Sequence, residues 1–330
     1  MPPAPDPPLL LVVVDTEEEF DWNLPVRREA VSVDAMASIA AGQEVCESFG
    51  AKPVYVLTHA VVTQEAGIAP LRPFFATGRA VAGAHLHPWN TPPLDEELSP
   101  RLSFPGNLPA ELERAKLITL TLAIESALGQ RPIVYKAGRY GIGPNTHALL
   151  TELGYRFDLS PSPPFDLSPE GGPDFSHHGV QPSLAGPDGN LLTLPTTGGY
   201  YGLLAGRSAH ARFRASRHPL AVALRLPGLL ARGGLLNRIR LSPEGATLPE
   251  MKRLTRALFA RGTRVFSISF HSPTLCPGHT PYVRNQADLR AFLQKLAGYL
   301  HFFTTELGGR CTTPLELPSH IGRSSATSSV

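Results

Sequence analysis

The chain has 330 residues, with 30 Lys and Arg against 28 Asp and Glu and a formal net charge of +2. That near balance removes the electrostatic case for a nucleic-acid or anionic partner of the whole chain. Cys46, Cys276 and Cys311 are too few and too far apart for a disulfide framework, which favours a reducing compartment and a cytoplasmic location, and no segment has the length and apolarity of a transmembrane helix.

In chain order, residues 1–8 are a proline-rich, loose lead. Residues 9–14 are a continuous Leu/Val run. They lack the basic start and small-residue cleavage site of a signal peptide, so they are expected to form a strand buried on both faces of a parallel sheet. The run ends in Asp15, Glu17, Glu18, Glu19 and Asp21. A helix is expected over 33–49, stopped by Gly50, and a second strand over 53–57 ending at Thr58 and His59. A third strand at 81–85 leads into His85 and His87, and 94–107 is a polar, proline-punctuated loop. A long amphipathic helix follows over 109–128, closed by Gly129 and Pro132.

Strand 133–136 delivers Arg139, helix 144–153 stops at Gly154, and strand 155–158 ends at Asp158. From 160 to 189 the pattern dissolves into Ser, Pro, Gly and Asp, the composition of a long loop or cap. A strand at 191–194 precedes a basic, Leu/Arg-rich stretch over 200–245, expected to be a helical insertion outside the fold. Helix 248–260, strand 264–270 delivering His271, helix 284–303, a strand at 312–317 and a Ser-rich tail at 319–330 complete the chain. Strands alternate with helices and polar residues collect at strand ends. The expected class is therefore α/β, with a mostly parallel sheet in one domain over 9–318, a lead at 1–8 and a disordered tail at 319–330.

The chemistry sits at four strand ends. His85 and His87 are two apart, so an extended strand sends both imidazoles to one face. With a carboxylate from Asp15 or Glu17 they make a three-ligand site for a divalent metal that leaves room for water or substrate. A second carboxylate could serve as base, Arg139 could orient it, and His271 could protonate a leaving group. His177 and His178 are adjacent in a loop and are taken as surface residues. Trp22, Trp89 and Tyr140 are candidates for an aromatic wall against a sugar ring.

These blocks together resemble the NodB-homology polysaccharide deacetylase family, and most closely its WalW-like branch. The resemblance lies in Val12-Val13-Val14-Asp15-Thr16-Glu17-Glu18-Glu19-Phe20-Asp21-Trp22, in Gly83-Ala84-His85-Leu86-His87-Pro88-Trp89-Asn90, in Lys136-Ala137-Gly138-Arg139-Tyr140-Gly141, and in Phe270-His271-Ser272-Pro273 with Thr280-Pro281-Tyr282. It implies an irregular (β/α)7-type barrel and a metal-dependent hydrolase that removes acetyl groups from amide nitrogens of sugars or cell-envelope precursors. Zinc is the expected ion, with cobalt, nickel or manganese as alternatives. By position the resemblance implies Asp15 as base, Glu17, His85 and His87 as metal ligands, Arg139 as the group orienting the base and His271 as acid, with Asp158 as its partner. Thr16 stands where the family has its metal-binding acid, and the histidine spacing is shorter than the family's. Asp15 and Glu17 could therefore exchange roles. A C–N hydrolase of small non-sugar amides and a non-catalytic sugar-binding relative are the alternatives.

Overall fold

A computed structural model of the protein describes residues 7–21, 24–206 and 208–317. Trp22, the tail at 319–330 and all but the end of the 1–8 lead lie outside these residues. The strands are β1 (Leu9–Thr16), β2 (Val54–Leu57), β3 (Val81–Leu86), β4 (Val134–Ala137), β5 (Phe157–Asp158), β6 (Ser183–Ala185), β7 (Leu191–Thr193), β8 (Gly198–Tyr201), β9 (Asn237–Arg240), β10 (Val265–His271) and β11 (Arg310–Cys311).

The main sheet runs β10-β1-β2-β3-β4-β5-β7-β6, with β11 beside the start of β1. Its pairings are parallel apart from β6 with β7. This is the expected α/β class: a mostly parallel, curled sheet with helices outside, in the manner of a (β/α) barrel. β1 lies between β10 and β2 and is buried throughout. Its two parities serve different cores, as strand alternation requires. Leu10, Val12 and Val14 join the large core shared with the helices, whereas Leu9, Leu11 and Val13 join a small inner core with Val54, Val56, Val134, Phe157 and Leu194. The outer core is covered chiefly by the helices Ile39–Glu47, Ala110–Leu128, Leu248–Ala260 and Gln286–His301.

Between β7 and β10 no ladder forms among the described strands. The gap is stitched by the residues flanking the β8–β9 pair. Leu241 N–H donates to Thr197 O at 2.7 Å, Ser269 N–H to Leu241 O at 3.2 Å, and Ser267 N–H to Thr197 Oγ1 at 2.8 Å. The 200–245 stretch is thus not wholly helical. It leaves and returns through an antiparallel pair, with three short helices between. The last strand also differs from expectation: it forms at Arg310–Cys311 rather than over 312–317. Among the described residues, no helix is long and apolar enough to cross a membrane.

Leu11 is fully buried in the inner core. Leu11→Ala is expected to lower stability by about 2–5 kcal/mol through lost burial and an unfilled cavity. Denaturant unfolding should show a lower midpoint with unchanged slope.

Candidate active site

The parity that fills the inner core also sets the site. Asp15 continues the inward series Leu9, Leu11, Val13, and Glu17 follows two residues on. His85 is inward on β3, Lys136 follows Val134 on β4, and His271 follows Ser267 and Ser269 on β10. Strand register brings them level, since Asp15 pairs with His271 and His85 with Lys136. All five, with His87, line one cavity of about 680 Å³ at the C-terminal end of the strands, where parallel α/β sheets bind ligands.

Glu17, His85 and His87 form one group. Their ligand atoms lie within 4.8 Å of one another, and all three side chains are buried. Glu17 Oε2 is 3.4 Å from His87 Nε2 and 3.8 Å from His85 Nε2. Each histidine is oriented from behind. His85 Nδ1–H donates to Lys136 O at 2.8 Å, and His87 Nδ1–H donates to Glu18 Oε1 at 2.7 Å. Trp89 Nε1–H also donates to Glu18 Oε1, at 3.2 Å, and its ring stacks on His87 with centroids 4.1 Å apart. The two Nε2 atoms thus face the cavity while the Nδ1 atoms are held, as in metal-ligating histidines. Glu17 Oε1 is buried with no hydrogen-bond partner among the described residues. Gly138 makes room for this arrangement: a Cβ there would stand 2.7 Å from His87 Cδ2 and 2.5 Å from Leu86 O.

The loop after the histidines is pinned from outside the barrel. Lys116, on the helix Ala110–Leu128, is fully buried, donates to Pro88 O at 2.9 Å and Thr91 O at 2.7 Å, and pairs with Glu96 at 3.1 Å.

A second group is Asp15 with Lys136. Lys136 Nζ lies 2.6 Å from both Asp15 oxygens. A third is His271 with Glu244, where Nδ1–H donates to Oε2 at 2.8 Å and the backbone N–H to Oε1 at 3.0 Å. The two groups meet across 3.6 Å, from His271 Nε2 to Asp15 Oδ2.

The electrostatics separate these acids. Burial alone would raise Asp15, but the charged Lys136 and His271 outweigh it and hold the carboxyl below its ordinary range. For Glu17, burial outweighs the charges of His271 and His87 and pushes the carboxyl up to about 7. Burial and neighbouring His87 press His85 down to about 3, so it is a neutral imidazole. Burial works against His271 too, but Glu244 and Glu17 lift it to about 10.

Arg139 is not where the resemblance implies. It lies on the cavity wall with φ 54°, an unfavourable left-handed conformation for a non-glycine residue. There it donates to Ser103 Oγ at 2.5 Å and Glu170 Oε2 at 2.7 Å and stacks on Phe104. The group that contacts Asp15 is Lys136, whose inward parity on β4 carries its ammonium to the carboxylate. Asp158 is likewise not a partner of His271; it pairs with His147 at 3.0 Å, and Glu244 takes the expected place. Trp89 is 1% exposed and backs His87, so Phe20 and Tyr140 are the more open aromatic side chains of the cavity. Thr16 has the outward parity, and its hydroxyl donates to Val14 O. His177 and His178 are exposed, as expected.

No protein-family model matches the chain, and no curated protein sequence does either. Solved structures do. PuuE allantoinase is similar at 14% identity, with 96% of this chain and 94% of that one covered and a TM-score of 0.51. The α-amylase AmyC from Thermotoga maritima is similar at 8% identity, covering 95% and 75%, with a TM-score of 0.52. The peptidoglycan deacetylase PdaC from Bacillus subtilis is similar at 8% identity, covering 98% and 96%, with a TM-score of 0.46. At such identities the likeness speaks for the fold, which is the barrel that the deacetylase resemblance implies. The WalW-like branch is not distinguished by these matches.

Lys136→Met leaves Asp15 buried without its cation, so a loss of about 3–5 kcal/mol is expected. Adding Asp15→Asn should return part of it, and a double-mutant cycle of unfolding free energies measures the coupling.

Proposed function

We propose that this protein is a metal-dependent hydrolase that removes the acetyl group from the amide nitrogen of an N-acetylated sugar, such as a cytoplasmic cell-envelope precursor. The observation that carries the proposal is the convergence, in one cavity, of the Glu17–His85–His87 group with Asp15–Lys136 and His271–Glu244. The donor set fits a divalent ion. Two imidazoles held at Nδ1 present their Nε2 atoms, and the Glu17 carboxylate keeps one buried oxygen unsatisfied. Two nitrogens and one carboxylate leave a coordination position open and suit zinc foremost. When bound, the ion supplies Lewis acidity toward the acyl oxygen.

The remaining steps belong to the chain. Asp15, kept ionised by Lys136, takes the proton of the attacking water. His271 carries a proton at neutral pH and delivers it to the leaving amine nitrogen, while Glu244 holds the ring at Nδ1. Lys136 sets the direction of Asp15, the role the resemblance assigned to Arg139. Phe20 and Tyr140 are placed to bear on a sugar ring. The similarity to an allantoinase favours a second substrate class, a small cyclic amide, for the same machinery.

Purified protein should bind about one zinc ion, and His87→Ala should abolish that binding without unfolding. Glu17 must be ionised to serve as ligand. Because its carboxyl titrates at about 7 and His87 is raised above its ordinary value by Glu18, zinc affinity should weaken as pH falls through neutrality, by at least about tenfold per unit, as titration calorimetry across pH can measure. Zinc bound equally by the His87 variant would count against the site.

Asp15→Asn and His271→Ala should each lower kcat by about 10²–10⁴-fold on the preferred substrate. A panel of N-acetylated sugars set against cyclic amides discriminates the two readings. Tight sugar binding with no turnover at any added metal would leave only a binding role.

A further inference from the structure

The excursion between β8 and β9 carries a surface that the hydrolytic site does not use. From Gly189 to Pro243 the sequence holds eight arginines and no aspartate, glutamate or lysine, within a chain whose net charge is +2. The excursion contains the helices Ala209–Ser216, Pro219–Ala223 and Leu226–Arg232. Its inner side is packed: Tyr200, Ala205, Ala209 and Leu236 form a small core with Phe213 and Leu230 against it. Its outer side is apolar and bare, with Leu203 at 85%, Leu220 at 71%, Leu224 at 75% and Leu229 at 59% exposure.

Interspersed with these leucines along the chain are the exposed residues Arg212, Arg214, Arg217, Arg225 and Arg232. None of the five is in an ion pair among the described residues. Asp166 and Asp174 line a cavity beside Arg214 and Arg217 without closing a pair.

Exposed leucines alone would be compatible with several occupants, and the charge decides among them. A symmetric contact between two copies would set this arginine-rich face against itself, which repels. An anionic bilayer offers both complements together: a headgroup–acyl boundary for leucine and phosphate oxygens for guanidinium groups. We propose that the 203–232 tip docks the protein peripherally on an anionic lipid bilayer. The tip is mounted on the mouth of the cavity, since β9 ends at Arg240 in its lining and Glu244, four residues on, holds His271. The docking itself does not depend on the hydrolase reading.

The test is co-sedimentation of the full-length protein with vesicles of phosphatidylcholine containing about one-third phosphatidylglycerol, against phosphatidylcholine alone. At about 0.1 M salt the protein should pellet with the anionic vesicles at least about tenfold more than with the neutral ones, and release at about 1 M salt. The double variants Leu220→Ser/Leu224→Ser and Arg217→Gln/Arg225→Gln should each reduce pelleting about tenfold with unchanged thermal unfolding. Failure of the unaltered protein to pellet, equal pelleting with neutral vesicles, or variants that pellet as it does would overturn the proposal. So would a concentration-dependent dimer in sedimentation velocity that the leucine variant abolishes, if vesicles are ignored.

Discussion

The buried ammonium of Lys136 makes an ionised Asp15 tenable in the acidic mouth of this barrel. Asp15, Glu17, Glu18 and Glu244 are all withdrawn from water at the edge of the inner core. An uncompensated carboxylate in such a place is strongly disfavoured, and several together compound the problem. Lys136 meets Asp15 at both oxygens and is itself held charged by that contact, against the burial that disfavours it. The pair is weak evidence for added stability, because its attraction is offset by the desolvation of two ions. Its consequence is positional. It fixes Asp15 on the β4 side of the cavity and leaves Glu17 to face the two histidines.

The other acids are balanced one by one. Burial opposes the charge on Glu18, but His87 holds it ionised, and Glu244 faces His271. Glu17 shares His87 with Glu18, and there burial prevails over His271 and His87 and raises it. One carboxyl near neutrality with two imidazoles aimed at it is the protonation pattern from which the proposed exchange of protons for a dication would start, because ligands must shed protons to bind. Separating one firmly ionised carboxylate from one near neutrality is the usual way a fold keeps a base distinct from its neighbours.

Much of this was legible in the sequence. The Leu/Val run before Asp15 announces a strand buried on both faces, and the two-residue spacing of His85 and His87 announces a shared face. Both follow from local geometry. What was missed depends on tertiary placement. Lys136 reads as an ordinary polar residue ending a strand, yet Val134 two residues earlier is apolar and inward, and the same parity would have sent the ammonium inside. Glu244 was hidden in a stretch notable for its arginines. Being the first acid after Asp188, it was the residue there most in need of an explanation. Arg139 misled because a motif gives order along the chain, and not which cation of the cavity wall meets Asp15. The β8–β9 pair escaped because two glycines and a basic, half-buried strand carry little alternating pattern.

The seam between β7 and β10 has its own implication. Elsewhere the wall is a continuous ladder, whereas here a handful of bonds through Thr197, Leu241 and Ser269 complete it. Beyond that stitch, the polypeptide from 198 to 240 folds back on itself and is closed by its own two-stranded stem. Such a construction behaves as a cassette. Its distal part can be shortened, lengthened or replaced with few ladder bonds of the parallel wall at stake, so variation there can reshape the outer surface with little bearing on the cavity at the strand ends.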